Sequence, residues 1–453
     1  MSTERTENKM GVMPVKRLII SMSLPMMLSM LVQALYNIVD SIFVAQISEN
    51  ALTAVTLAFP MQNLMIALAG GTGVGINALL SRSLGEKNFA AADQAACTGI
   101  LLNILHYLIF LFIGLTIAGP FIRSQTDDPE IIAYGTTYLS IICVLSIGVF
   151  FQITMERLLQ STGRTLYSMI SQMTGALINI VLDPMLIFGV GPFPKLGVAG
   201  AAYATIFGQV IASALCVWLN LKKNSDITLS WKRILHPEKD TVQQIYAVGI
   251  PSVLMMSIGS VMTYLINRIL IVFSSTATAV FGAYFKLQSF VFMPVFGLNN
   301  GLIPVLAYNY GAGDGKRIRE ALRFSLILAL SIMTAGALVF ELFPDQLLTL
   351  FSASDEMKEI GRPSLRIIAL SFPVAAICIA LGSIFQAFAK SVNSLIVSIG
   401  RQLVVLIPVA WLLAQTGVLT YVWWAFPAAE IASFSLSFVL YRRLYREKVQ
   451  PLL

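Results

Sequence analysis

The chain has 453 residues, 57% of them hydrophobic and 12% charged, with a mean hydropathy of +0.79, far from the composition of a soluble globular domain. Thirty Lys and Arg against 23 Asp and Glu give a net charge of +7 and a pI near 9.2. The basic residues punctuate apolar runs instead of forming a polar, aromatic-rich surface, so nucleic acid is a poor partner.

The first 17 residues are polar, and the apolar run after them is too long for a signal-peptide core, so it reads as a first span. Each crossing takes about 20 apolar residues, which gives room for roughly a dozen spans and excludes a single-span receptor. The apolar runs predict twelve, at 18–45, 51–81, 95–118, 131–159, 166–190, 198–221, 243–272, 276–306, 320–343, 361–386, 391–414 and 420–441. The fold class is an all-α integral membrane protein. Cys97, Cys143, Cys216 and Cys378 lie in apolar stretches and read as small buried hydrophobes. With only His106 and His236 beside them, a protein-built metal site is not expected.

Placing the N-terminus inside puts 22 Lys and Arg, Arg5 among them, in inside segments and five in outside segments. The positive-inside rule then predicts both termini in the cytoplasm of a cell with this protein in its plasma (inner) membrane. The basic segment 316–319 and the tail 442–448 are expected to touch anionic lipid headgroups.

Sliding the chain by 226 positions places Pro25 on Pro251, Phe59 on Phe285, Gln62 on Gln288, Gly75 on Gly301, Gly85 on Gly311 and Gln160 on Gln386. Two copies of six spans share one orientation and are related by an axis along the bilayer normal, which suggests two lobes rocking about a central cavity. The expected division is a tail 1–17, an N-lobe 18–221, a linker 222–242, a C-lobe 243–441 and a tail 442–453. A working monomer is expected.

Ionisable groups in hydrocarbon are costly and mark cavities, pathways or partners. Asp40 in span 1, Asp183 in span 5 and Thr205 in span 6 fall five to seven residues from the outer span ends, about 8 to 11 Å deep at 1.5 Å per residue. Gln33, Tyr36 and Asp40 form an i, i+3, i+7 stripe, and Asn179 is one turn before Asp183. One polar chamber in the N-lobe would hold them all. Two carboxylates in one low-dielectric chamber repel and lose hydration, which suits a shared proton. The same oxygens, with those of Asn179 and Thr205, equally suit sodium. Helix capping or structural hydrogen bonding is the plain alternative.

Other intramembrane groups are read in pairs. Glu156, one turn from Gln152, is expected either to draw cations into the cavity or to pair with Arg157. Lys286, about 15 Å into span 8, either lines the cavity or is the buried partner of a carboxylate. Arg401 and Glu430 lie near the midplane of neighbouring spans and read as a structural ion pair. Pro25 and Pro184 free backbone carbonyls and are candidate hinges in spans 1 and 5, or fixed packing kinks. Nineteen methionines offer adaptable apolar walls, although helix packing accounts for most. The run Gly70-Gly-Thr-Gly-Val-Gly75 has no following Lys-Ser/Thr and reads as helix packing.

Four segments resemble the multidrug and toxic compound extrusion (MATE) family, with its DinF/MepA-like branch most similar. They are Gln33 to Phe43 (QALYNIVDSIF), Asn179 to Gly189 (NIVLDPMLIFG), Gly197 to Thr205 (GVAGAAYAT) and Asn309 to Asp314 (NYGAGD), in that order over essentially the whole chain. The resemblance implies a V-shaped pair of six-helix lobes with no enzymatic activity and no cofactor. It implies export of small amphipathic, often cationic, compounds, driven by inward H+ or Na+. It assigns coupling to Asp40, Asn179, Asp183 and Thr205, places Met173 on the N-lobe cavity, and makes Pro25 the hinge of span 1. The second copy departs, since a two-residue slip puts Leu403 and Ile407 opposite Asn179 and Asp183, and span 7 lacks a carboxylate. Coupling is therefore expected in the N-lobe. A lipid or lipid-linked precursor flippase of the same superfamily is the runner-up, though it calls for a more basic cavity than Lys286 and Arg268 offer. An integral membrane transferase is less expected still, because no acidic metal-diphosphate motif is present.

Overall fold

The computed structural model describes residues 7–351 and 353–453, and Arg5 lies outside them. Among the described residues ten helices are long and apolar enough to cross a bilayer, and two bent helix pairs, each counted as one span, bring the candidates to twelve. In chain order these are α1 (Val15–Ala45), α2 (Glu49–Gly85), α3 (Phe89–Thr116), α4 (Pro129–Val144 and Ile147–Ser161), α5 (Thr165–Phe188) and α6 (Val198–Lys223). The second copy comprises α7 (Lys239–Leu270), α8 (Ser275–Gly311), α9 (Gly315–Leu342), α10 (Asp355–Ala369 and Phe372–Ala387), α11 (Ser391–Ala414) and α12 (Leu419–Leu452). Among the described residues there is no strand.

The apolar runs thus become helices within a few residues of their predicted ends, with one correction. Spans 4 and 10 are not single helices, for they bend by 46° and 47°. At each break a serine folds back on the preceding turn. Ser146 Oγ donates to Cys143 O (2.7 Å) and Ser371 Oγ to Ile368 O (2.6 Å), a local competition with the helical ladder that a hydropathy pattern does not register. Pro25 and Pro184 sit inside helices that continue through them. The Ser21 carbonyl, which loses its i+4 donor to Pro25, accepts from Thr165 Oγ1 of α5 at 3.2 Å.

The lobes meet through four helices. α2 lies on α7 and α8 lies on α1, α2 and α8 also meet each other, and glycines matched by the 226-residue repeat stand at these contacts. A Cβ on Gly75 would fall 2.1 Å from Ile245 O, while one on Gly301 would fall 2.7 Å from Ser23 Cα. A Cβ on Gly85 would fall 1.9 Å from Tyr308 O, and one on Gly311 would fall 2.1 Å from Arg82 O. Residues 82 and 308 are themselves 226 apart, so this second pair closes on the pseudo-two-fold axis. Only glycine permits helix backbones to approach this closely.

These contacts lie at one end of the bundle, the closed end, which the N-terminal residues reinforce. Asn8 Nδ2 donates to Thr162 O (2.9 Å), while Arg317 donates to Met10 O (3.0 Å) and Met13 O (2.7 Å). The segment between α6 and α7 is tied to α3 by Arg233–Asp93 (2.8 Å). Towards the opposite end Leu64, Val261, Tyr264 and Phe285 of the same helices are exposed. Asn63 of α2 still donates to Ser260 of α7 at 3.3 Å, and the exposure of Tyr264 beyond it is where we read the lobes as parting into a cleft.

Overpacking a contact of this kind costs about 1 to 3 kcal/mol. Gly85→Leu is therefore expected to lower the melting temperature in detergent, whereas Gly259→Ala, where nothing lies within 4 Å, leaves it near wild type. Equal melting of the two variants would contradict this interface.

Candidate functional site

The chamber in the N-lobe forms where α1, α2, α4, α5 and α6 converge. Asp183 is fully buried and Asp40 half-buried, and their carboxyl groups approach within hydrogen-bonding reach of each other. Asp40 Oδ1 and Asp183 Oδ1 are buried, and no donor among the described residues reaches them. Two carboxylates face each other at this range only with a proton or a cation between them.

Asn179 holds Asp183 from below. In the amide orientation that satisfies every neighbour, Asn179 Nδ2 donates to Asp183 Oδ2 (3.1 Å), and its carbonyl accepts from Thr205 N (3.0 Å) and Thr205 Oγ1 (3.2 Å). Tyr36 reaches Thr205 through its hydroxyl. Two residues not singled out in the sequence join them, Tyr138 and Gln62, which lie next to each other beside the carboxylates. Gln62 has a trace in the sequence, since the repeat sets it on Gln288. Tyr138 has none, because a tyrosine within an apolar run is ordinary.

The remaining candidates are more scattered. Gln33 is exposed one turn from Tyr36. Glu156 is buried and accepts from Gln152 Nε2 (2.9 Å) and from Gln172 Nε2 (2.6 Å), the second a partner not foreseen. Arg157 turns away from Glu156 and donates to Gln160 Oε1 (2.9 Å) and, across the lobe boundary, to Asn300 Oδ1 (3.2 Å). Gln172, Asn179 and Asp183 share one stripe of α5, at i, i+7 and i+11. Met173, half-buried, points about 100° away from that stripe. Lys286 is exposed, which excludes the buried-partner reading.

In the C-lobe, Arg401 Nη1 lies 2.7 Å from Glu430 Oε1. Arg401 sits in a wide π-helical turn, Gly400–Leu406, just ahead of Pro408. Tyr284 lies beside the pair and donates to Gln288 Oε1 at 2.7 Å.

A family model described as MatE matches residues 25–185 and 251–412, two segments whose starts differ by the repeat offset. A relative from Shewanella oneidensis, named a FAD transporter, is 27% identical over 417 residues and covers 88% of each chain. The multidrug export protein MepA of Staphylococcus haemolyticus is 26% identical, with 92% of each chain covered. Among solved structures, a crystal structure of a MATE protein in complex with MaL6 superposes with a TM-score of 0.92 at 25% identity, covering 99% of each chain.

Removing one member of a buried ion pair strands the other, at about 3 to 5 kcal/mol. Arg401→Leu is expected to destabilise the protein more than Arg401→Leu combined with Glu430→Leu. Equal losses in thermal melting would exclude a structural pair.

Proposed function

This chain belongs to the multidrug and toxic compound extrusion family, whose members are membrane transporters and not enzymes, and on that premise we propose that it is a secondary active exporter of small amphipathic compounds, coupled to inward movement of H+ or Na+. The lobes at 18–221 and 243–441, joined by the linker 222–242, alternate access to the cleft between them. The chain sits in the plasma membrane as a monomer with both termini cytoplasmic, so the closed end faces the cytoplasm and the cleft opens outward. The 22-to-5 distribution of basic residues supports that orientation.

The observation that carries the reading is the facing pair Asp40 and Asp183, each with a carboxylate oxygen that no donor reaches. The coupling ion neutralises the pair, Asn179 and Thr205 fix Asp183, and Tyr36 transmits the load along α1. α1 packs on α8 of the other lobe near Pro25, where Ser23 meets Gly301, so a change in its course moves the lobe boundary. Glu156, Gln152, Gln33, Met173 and Lys286 line the substrate route. Arg401 and Glu430 hold α11 to α12.

Asp40→Asn and Asp183→Asn are each expected to abolish gradient-driven ethidium efflux from proteoliposomes with folding intact. Imposing H+ and Na+ gradients in turn identifies the ion. Wild-type rates in both variants would overturn coupling through this chamber.

A further inference from the structure

The sign of charge that the cleft presents is set by very few residues. Among the four helices that form its walls, carboxylates occur only at Asp40, Glu49 and Asp240. Asp40 is turned into the N-lobe chamber, Glu49 is the first residue of α2 at the mouth, and Asp240 belongs to the closed end. Glu156, further in, is 4% exposed and enclosed by the Gln152 and Gln172 amides. None of these offers an open negative surface to a substrate in the body of the cleft.

Lys286 does face that space. On α8 it shares a stripe with Met293, Gly297 and Asn300, at i, i+7, i+11 and i+14. Gly297 packs on the backbone of Met27 in the other lobe, and Asn300 takes its hydrogen bond from Arg157 of the other lobe. Nearer the open end, where the lobes part, the same face looks across the cleft. There Lys286 is exposed, about ten residues into the helix, with no ion-pair partner among the described residues. An ammonium at that depth is costly unless a counter-charge visits it. On α7, Val253, Ser260 and Tyr264 form a matching stripe. Val253 packs against Gly71 and Ser260 accepts from Asn63, both of α2. Tyr264 continues the stripe into the open half and is 63% exposed. Arg157, whose partners are the neutral amides of Gln160 and Asn300, adds positive potential at the floor.

We propose that the cleft recognises amphipathic anions, with an aromatic body against Tyr264 and a phosphate, sulfonate or carboxylate group paired with Lys286. This rests on the exporter reading and replaces its expected preference for cations. An ammonium forms charge-assisted hydrogen bonds to such oxygens, and it repels a cationic substrate in the same position.

The test uses two dyes with one xanthene body and opposite charge, fluorescein and rhodamine 123, in proteoliposomes holding the full chain under an imposed ion gradient. Wild type is expected to transport fluorescein in preference to rhodamine 123. Lys286→Gln should lower fluorescein transport roughly tenfold, the loss of one charge-assisted contact, and Lys286→Arg should restore most of it. Lys286→Glu should invert the ratio of the two dyes. Fluorescence anisotropy of fluorescein on the purified variants, with their melting temperatures, separates lost binding from lost folding. Transport of rhodamine 123 alone, or a ratio unmoved by Lys286→Glu, overturns the anion assignment and leaves the exporter standing. Transport of neither dye, with ethidium also retained, overturns both.

Discussion

The closest contacts in the molecule are between helix backbones, where α2 meets α8 and α7 and where α8 meets α1 without side chains between them. In a bilayer no hydrophobic force draws one apolar helix to another, so association depends on how closely the backbones approach. Glycines at 75 and 301, and again at 85 and 311, permit that approach at two places related by the repeat. Polar ties from Asn8 and Arg317 then bind the same end. A bundle joined firmly at one end and parted at the other has few ways to move, and rocking about the glycine contacts is the simplest. The cleft, the chamber beside it and the order of the helices all follow from that arrangement.

The chamber is the counterpart of this packing in polar chemistry. Hydrocarbon does not tolerate an unpaired carboxylate, yet Asp40 and Asp183 are held face to face by a scaffold of amides and hydroxyls that supplies too few donors for both. The deficit is local and repairable by one positive charge. Because Asp40 lies on α1, which also packs across the lobe boundary, that charge and the boundary share a helix. In the C-lobe the buried carboxylate, Glu430, is paired with Arg401 through Oε1, and only its Oε2 is left without a donor. The repeat therefore preserves the fold while confining the facing pair of carboxylates to one lobe.

Much of this was legible in the sequence. Twelve apolar runs matched ten long helices and two bent pairs, and the repeat that set Gly75 on Gly301 and Gly85 on Gly311 was visible, although only the structure shows that these glycines stand at the lobe boundary. Asp40, Asp183 and Thr205 shared a depth, with Asn179 one turn from Asp183, and the four converge. The bends at Ser146 and Ser371 were not legible, because a serine turning back on its own helix leaves hydropathy unchanged. Nor were Tyr138, Gln172 and Asn300. A neutral amide or phenol in an apolar run carries little of the cost that makes a buried charge conspicuous. Met173, placed by resemblance alone, lies about 100° round α5 from the stripe that carries Gln172, Asn179 and Asp183. For Lys286, depth alone left two environments open, and its exposure distinguished them.

The central claim is that the load on the Asp40–Asp183 pair governs the separation of the lobes. It is tested most directly by the distance across the open end. Spin labels at Leu52 and Val272, both exposed on opposite lobes, in a background without the native cysteines, report that distance by double electron–electron resonance. The account predicts a distribution that shifts between low and high pH, or on adding sodium, in the parent protein, and that stays fixed in Asp40→Asn. The same shift in Asp40→Asn and in Asp183→Asn would contradict it.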